Sequence, residues 1–475
     1  MNTTAAMRVQ SSVQDAISSQ SSLSRSWTVY PKTFGVLLIL TLALPINIAW
    51  VSLALIYVLL CKISRILQWS SASFPAERTT AFKTILISGG KMTKSLQLAR
   101  LFHRAGYRVV LCETPKYWLT GHRFSFCVDR FRLTAEPRSA AYADSLQKIV
   151  LEENVDVYVP VCSPLSSRYD SEAISALIDH CEIIHPSLQH IDLLDDKFQF
   201  ASAAKRFGLK APESFLITHP DQVLNFDFSN QTRPMILKSI EYDSIRRLDL
   251  TRLPMDDPAA MRRFVQSLPI SKDRPWVMQE FIAGKEYCTH STVVDGKIRV
   301  HVCCESSEFQ INYKHIDEPE IAEWVHKFVH HLGLTGQLSF DFIRADDDGQ
   351  VYAIECNPRT HSAITAFYDD SRVANAYLNP SPIIIQPRPS ARPTHWVYHE
   401  IWRLFTSPFY QKQKAQRIAD IVHGKDAIFD WQDPLPFLMV HHFQIPLLLI
   451  RCLLSGKEWV RIDFNIGKLV QLGGD

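Results

Sequence analysis

Hydrophobic and polar positions fall into four regimes along the chain. Residues 1 to 33 are rich in Ser, Thr and Gln and poor in large apolar side chains, the pattern of a disordered leader. From Phe34 to Cys61 the sequence FGVLLILTLALPINIAWVSLALIYVLLC carries no charge and exceeds the ~20 residues that cross a bilayer as a helix. Pro45 and Asn47 interrupt it, so one kinked span and a re-entrant hairpin are both compatible with the pattern, and a buried core helix is the soluble alternative. Residues 62 to 82 read as a linker. Lys62 and Arg65 follow the apolar stretch and keep the next domain cytoplasmic by the positive-inside rule.

From Lys83 the period changes. TILISG alternates with a helix-spaced GKMTKSLQLARLFHRAG and a second apolar run YRVVLCE, which predicts a βαβ unit of a parallel sheet. A further helix near Ala141 to Glu152 and the strand VDVYVPV extend it, so residues 83 to 190 form an α/β domain with a Rossmann-like βαβ arrangement. Residues 191 to 380 mix antiparallel strands with helices, an α+β character. The remainder, 381 to 475, is first Pro-rich and then carries an apolar run, Pro434 to Leu454, broken by His441, His442, Pro446 and Arg451, which predicts an amphipathic surface or membrane-skimming element.

Composition narrows the classes. The 475 residues hold 51 Lys plus Arg against 49 Asp plus Glu, so overall charge gives no footprint of a nucleic-acid partner. The ten cysteines lack the CxxC spacings of zinc sites and the dense pairing of a secreted scaffold, which fits a reducing compartment.

The richest chemistry lies in LSFDFIRADDDGQVYAIECNPRTHS, residues 338 to 362. Both halves alternate as strands do, around a turn at Asp346-Asp347-Asp348-Gly349. A three-residue loop of Asp347, Asp348 and Gly349 would set Asp341 opposite Glu355. Two facing carboxylates repel unless a cation lies between them, and Asn357 projects from the same face as Glu355. Such an oxygen-donor set suits Mg²⁺, with Mn²⁺ also possible; the plain alternative is an exposed hairpin whose charges face water. Arg359 and His361 continue the row, where a guanidinium could steady a transferring phosphoryl or a displaced oxyanion. Upstream, Lys197 opens a helix and Lys238 ends an apolar strand. Gln279, Glu280, Phe281 and Ile282 form a strand that can offer backbone groups to a nucleobase, and Glu286 beyond Gly284 can take two ribose hydroxyls. Taken singly, these would be ordinary sheet elements.

Taken in order, Lys197, Lys238, Gln279-Glu280-Phe281-Ile282, Glu286, Asp341, Glu355-x-Asn357 and Arg359 resemble the ATP-grasp superfamily. The resemblance implies that the lysines hold ATP phosphates, the 279–282 strand takes adenine, Glu286 binds ribose, and Asp341, Glu355 and Asn357 bind magnesium. The segments ISGGKMTKSLQLAR, ETPKYWLTGHRFS, VYVPVCSP, ILKSIEYDSIRRL, ECNPRTHSAIT and IDFNIGKLVQLGGD further resemble the mycosporine-glycine synthases, over nearly everything from Lys83 to Asp475. That likeness implies ATP-dependent joining of glycine to 4-deoxygadusol. In place of a glycine-rich phosphate loop, Ser239 to Arg247 contains no glycine; Arg246 and Arg247 either supply the missing charge or form a solvated turn. Acceptor candidates by position are Ser88 to Lys91, Ser307, Gln310 and Tyr313. A dipeptide-type carboxylate-amine ligase and a membrane-tethered, non-catalytic nucleotide-binding scaffold are the competing readings. The oligomeric state is not legible.

Overall fold

The computed structural model describes residues 26–69, 83–161, 163, 166–241, 246, 249–306, 312–406 and 411–471. A single helix runs from Ser26–Trp69, with Pro31 and Pro45 inside it, and takes in residues 26–33 of the expected leader and 62–69 of the expected linker; the rest of both, 1–25 and 70–82, lies outside the described residues. It is continuous through Pro45.

The first α/β unit is a five-stranded parallel sheet of β1 (Thr84–Ile87), β2 (Arg108–Glu113), β3 (Arg130–Leu133), β4 (Val157–Val159) and β5 (Glu182–Ile183), in the order β3-β2-β1-β4-β5. The unbroken apolar run of β1 is buried throughout, as a central parallel strand covered on both faces requires. The helix Thr93–Arg104 crosses from β1 to β2.

Next come two antiparallel sheets with separate cores. The smaller contains β6 (Ser214–Ile217), β7 (Met235–Ser239) and β8 (Trp276–Glu280) in the order β6-β8-β7; Met235, Leu237, Val265, Trp276 and Met278 pack inside it. The larger is built from β9 (Gly284–Val294) and β10 (Lys297–Glu305), followed after the short β11 (Asn312–Tyr313) by β12 (Gly336–Ala345) and β13 (Val351–Asn357), in the order β10-β9-β12-β13. One face of it carries the helices Lys197–Arg206 and Pro319–Leu332 through a core that includes Phe200, Trp324, Phe328, Phe340 and Phe342. On the other face Cys288, Val300, Val302 and Cys304 share a core with the parallel-sheet unit.

The last residues do not form a separate appendage. After β14 (Thr394–His395) and β15 (Lys425–Asp426), the Leu435–Ser455 segment and the hairpin of β16 (Trp459–Asp463) and β17 (Lys468–Gln471) join the same core as β1. A buried ion pair ties the two: Arg100 on the Thr93–Arg104 helix donates through Nε to Asp433 at 2.8 Å and through its terminal nitrogen to the Ile428 carbonyl at 2.8 Å.

Candidate functional site

The hairpin of β12 and β13 pairs Asp341 with Glu355, but by a different route from the one the turn residues suggest. The connection is five residues long, 346 to 350, and near it Phe342 faces Ala353; a bulge between Asp341 and Phe342 then advances the register by one residue, restoring the Asp341–Glu355 pair and setting Ser339 opposite Asn357. Bulges of this kind re-aim side chains next to functional sites. The two carboxylates lie beside one another. Asn357 bridges them, its Nδ2 donating to Asp341 Oδ2 at 3.3 Å and to Glu355 Oε1 at 3.4 Å. Asp341 Oδ1 is buried with no hydrogen-bond partner among the described residues.

Cations close over the pair. Asp196 caps the helix Lys197–Arg206 by accepting from the backbone of Phe198 and Gln199, and this holds Lys197 at the first helical position, with Nζ 3.4 Å from Glu355 Oε2. Lys238, near the end of β7, faces the same carboxylate: burial lowers its pKa, and the charge of Glu355 opposes that. Arg359 donates to the Asn357 amide oxygen, and its backbone N–H donates to the Asn357 carbonyl at 2.7 Å. Glu286 lies on β9 opposite Ile343 and adds its charge to those acting on Lys238 and Asp341.

The two carboxylates are driven apart in acidity. Burial, and then the neighbouring Glu355 charge, hold the Asp341 carboxyl well above the ordinary range. Burial would raise Glu355 as well, but Lys197 and Lys238 outweigh it and hold that carboxylate low. The Glu355 side chain keeps 31% of its surface, so part of this attraction is screened by water. The unpartnered Asp341 oxygen, the like-charged pair and the amide together fit a hard divalent cation. Among the described residues no three His, Cys, Asp or Glu side chains cluster as a metal site, so any such ion would share its remaining positions with ligand oxygens.

Other expected residues divide. Gln279 is the centre of a three-stranded ladder, facing Ser214 on one side and Ile236 on the other. The strand ends at Glu280, whose carboxylate turns to Arg233 at 3.3 Å, and the Phe281 N–H donates to the Pro234 carbonyl at 2.7 Å. The Ile282 N–H makes no hydrogen bond among the described residues. Arg246 is half-buried in a turn closed by the Asp249 N–H, and Arg247, like Ser307 and Gln310, lies outside the described residues. Ser88 accepts from the Val161 N–H at 3.0 Å and Lys91 pairs with Glu113 at 3.6 Å, so both are held by the parallel-sheet unit. His361 caps the short helix Ser362–Phe367 and meets Tyr313 edge-on at 5.3 Å; burial and then Lys94 push its pKa down to about 3, so it is neutral.

Three residues escaped the sequence reading. Asp195 sits beside Arg359 and Lys197, and burial pushes its carboxyl up to about 6. Lys94, buried at the start of the Thr93–Arg104 helix, donates to the Thr360 carbonyl at 2.6 Å, and His290 on β9 accepts from the His361 N–H at 3.3 Å. The pattern LLDDK did contain the first, but an aspartate next to a capping aspartate has no signal of its own.

Two lysines from different elements thus converge on a carboxylate pair that an amide bridges. Residues 194–363 match the ATP-grasp domain family model, and this part of the chain is an ATP-grasp domain. The carbamoyl phosphate synthase large chain of Vibrio cholerae is 24% identical over 194 residues, covering 37% of this chain and 17% of that protein. The Vibrio parahaemolyticus protein of the same name is 24% identical over 245 residues, 48% of this chain and 21% of its own length. The chain therefore spans a small fraction of these relatives. Among solved structures, N5-carboxyaminoimidazole synthetase from Staphylococcus aureus is similar with a TM-score of 0.49 and 17% identity, covering 66% of this chain and 82% of that one. L-amino acid ligase from Bacillus licheniformis is similar with a TM-score of 0.42 and 16% identity, covering 59% and 68%.

Proposed function

We propose that the protein is an ATP-dependent, ADP- and phosphate-forming ligase that joins glycine to 4-deoxygadusol. The observation that carries the ligase reading is the convergence of Lys197 and Lys238 on the Asp341–Glu355 pair, with one Asp341 oxygen left for a cation. A protein that only bound nucleotide would have no need of this repulsion.

In this reading Lys197 and Lys238 neutralise ATP phosphates, the Ile282 N–H and the Glu280 carbonyl address the adenine edge, and Glu286 takes the ribose. Asp341, Glu355 and the Asn357 amide oxygen would hold Mg²⁺, or Mn²⁺, which when bound neutralises charge on the phosphates. Arg359 stabilises the transferring phosphoryl group. Neutral His361 and buried Lys94 position the turn that carries Arg359. The acceptor's enol oxygen attacks the γ-phosphorus and ADP leaves. The glycine nitrogen then adds to the carbon bearing that oxygen, and phosphate departs with the former enol oxygen.

The choice of acceptor rests on the six motif segments that resemble mycosporine-glycine synthases. The second reading, a carboxylate-amine ligase working through an acyl phosphate, is favoured by Lys94 and Arg359 near one turn, since cations hold a carboxylate acceptor. Phosphate release with Mg-ATP, glycine and 4-deoxygadusol, with product followed by ultraviolet absorbance and mass, separates the two. Release that needs both small substrates and disappears in Asp341→Ala supports the first. Release only with a carboxylate acceptor supports the second.

A further inference from the structure

We propose that the Ser26–Trp69 helix is an in-plane membrane anchor: it lies lengthwise on the catalytic body and presents its opposite face to a bilayer surface. The docked face is fixed at three places. Lys32 Nζ donates to the carbonyls of Trp459 at 3.1 Å and Val460 at 2.9 Å, while Trp459 Nε1 donates to Thr33 Oγ1 at 2.9 Å. Asn47 Nδ2 bonds the Tyr398 hydroxyl at 2.5 Å and approaches His442 Nε2 at 2.6 Å. Trp50 and Tyr57 pack on Trp431 with ring centroids 5.2 and 6.2 Å apart. Thr33, Leu40, Val51 and Ala54 are buried along the same stripe.

These contacts exclude a crossing geometry. From Lys32 to Tyr57 the helix rises about 37 Å at ~1.5 Å per residue, more than the ~30 Å hydrocarbon core. A span would therefore carry Tyr398, His442 and Trp459, and the body that bears them, into lipid. Among the described residues the other face has no such partner. Phe34, Leu38, Leu42, Ile46, Leu53 and Ile56 are 53–71% exposed, and at 100° per residue they project away from the buried stripe. With its neighbours this face offers on the order of 1,000 Å² of apolar surface, above the few hundred Å² typical of a soluble monomer. Phe443, Ile450 and Leu454, on the adjoining Leu435–Ser455 segment, expose a second apolar row, Leu454 at 84%.

A bilayer suits this face better than another protein. No charged residue occurs between Lys32 and Lys62, and the Thr41 hydroxyl is already bonded to the Leu37 carbonyl at 2.8 Å. A protein partner would expect about one hydrogen bond per 100–200 Å², whereas hydrocarbon asks for none. Tyr30, exposed near the start of the helix, supplies an aromatic side chain of the kind favoured at the headgroup level.

The test uses the full chain with phosphatidylcholine vesicles. Wild type is expected to float with the vesicles, and Leu42→Glu/Ile46→Glu to remain in the dense fraction with its melting temperature unchanged. In a Cys61→Ser/Cys162→Ser background, whose eight remaining cysteines are buried, cysteines introduced one at a time as Tyr30→Cys and Ser64→Cys should both react with an impermeant maleimide added outside. Protection of either one would mean a span and overturn the proposal. A fluorophore at Ile46→Cys should be quenched by shallow brominated lipids; preferential quenching by deeply brominated lipids would mean a re-entrant insertion and also overturn it. If wild type stays unbound and instead forms a concentration-dependent dimer that the double variant abolishes, the face belongs to a second copy and the proposal fails.

Discussion

Replacing Asp341 by Asn should make the ligand-free protein more stable while abolishing turnover. The side chain keeps its shape but loses a charge that faces Glu355 and has one buried oxygen without a partner. Relieving an unsatisfied buried group is worth about 1–3 kcal/mol. In a unit of ATP-grasp size each kcal/mol moves the melting temperature by roughly 2–4 °C. The pH dependence has a definite sign. Asp341 keeps its proton to higher pH when folded than when unfolded, so the stability it contributes is complete at low pH and is lost as pH rises through its folded value. The advantage of Asp341→Asn should therefore be largest in alkaline buffer and vanish below pH ~3, where wild type is protonated in both states. Glu355→Gln should do the reverse. Lys197 and Lys238 hold that carboxylate low, so its contribution is present at neutral pH and lost in acid; the variant leaves both lysines without it and costs about 1–2 kcal/mol after screening. Scanning fluorimetry across pH, with and without Mg-ATP, reads both effects: the nucleotide should raise the melting point of wild type and of neither variant. An apo Asp341→Asn that is less stable than wild type at pH 8, or a gap independent of pH, would refute the account of the pair.

Three further outcomes follow from neighbouring contacts. Lys238→Met should raise the KM for ATP at least tenfold, because it removes a buried cation available to the phosphates, and should also cost some stability, since Lys238 helps to hold the Glu355 carboxylate low; initial rates over an ATP series and melting curves would show both. Asp195→Asn should remove a component of stability that wild type loses as pH rises through about 6, visible in melting curves taken between pH 4 and 8. Arg233 clasps the small sheet to the hairpin tip through Asp347 at 2.7 Å, Asp348 at 3.0 Å and Glu280 at 3.3 Å, so Arg233→Ala should raise the KM for ATP and speed proteolytic cleavage within 281 to 283; unchanged values for both would remove the clasp from the argument.

How far the sequence disclosed all this depended on whether a feature was local. The alternation in FDF and IECN was enough to tell which side chains share a face, because the period of a strand is two, while the pairing of Asp341 with Glu355 was inferred from the turn. The turn chemistry that seemed to justify the register did not, since the connection takes five residues and a bulge compensates. Asp195 illustrates the opposite limit: its raised acidity constant comes from burial near Arg359 and Lys197, and Arg359 is more than a hundred residues away in the chain. The apolar helix is the clearest case. Its composition is the same whether it crosses lipid, lies on it or packs in a core, and the residues that decide, Tyr398, His442 and Trp459, are over three hundred positions downstream. Polar Asn47 in the middle of that run read as an interruption of a span. In the fold it is a contact point, where its side-chain amide meets the Tyr398 hydroxyl and the His442 ring on the neighbouring elements.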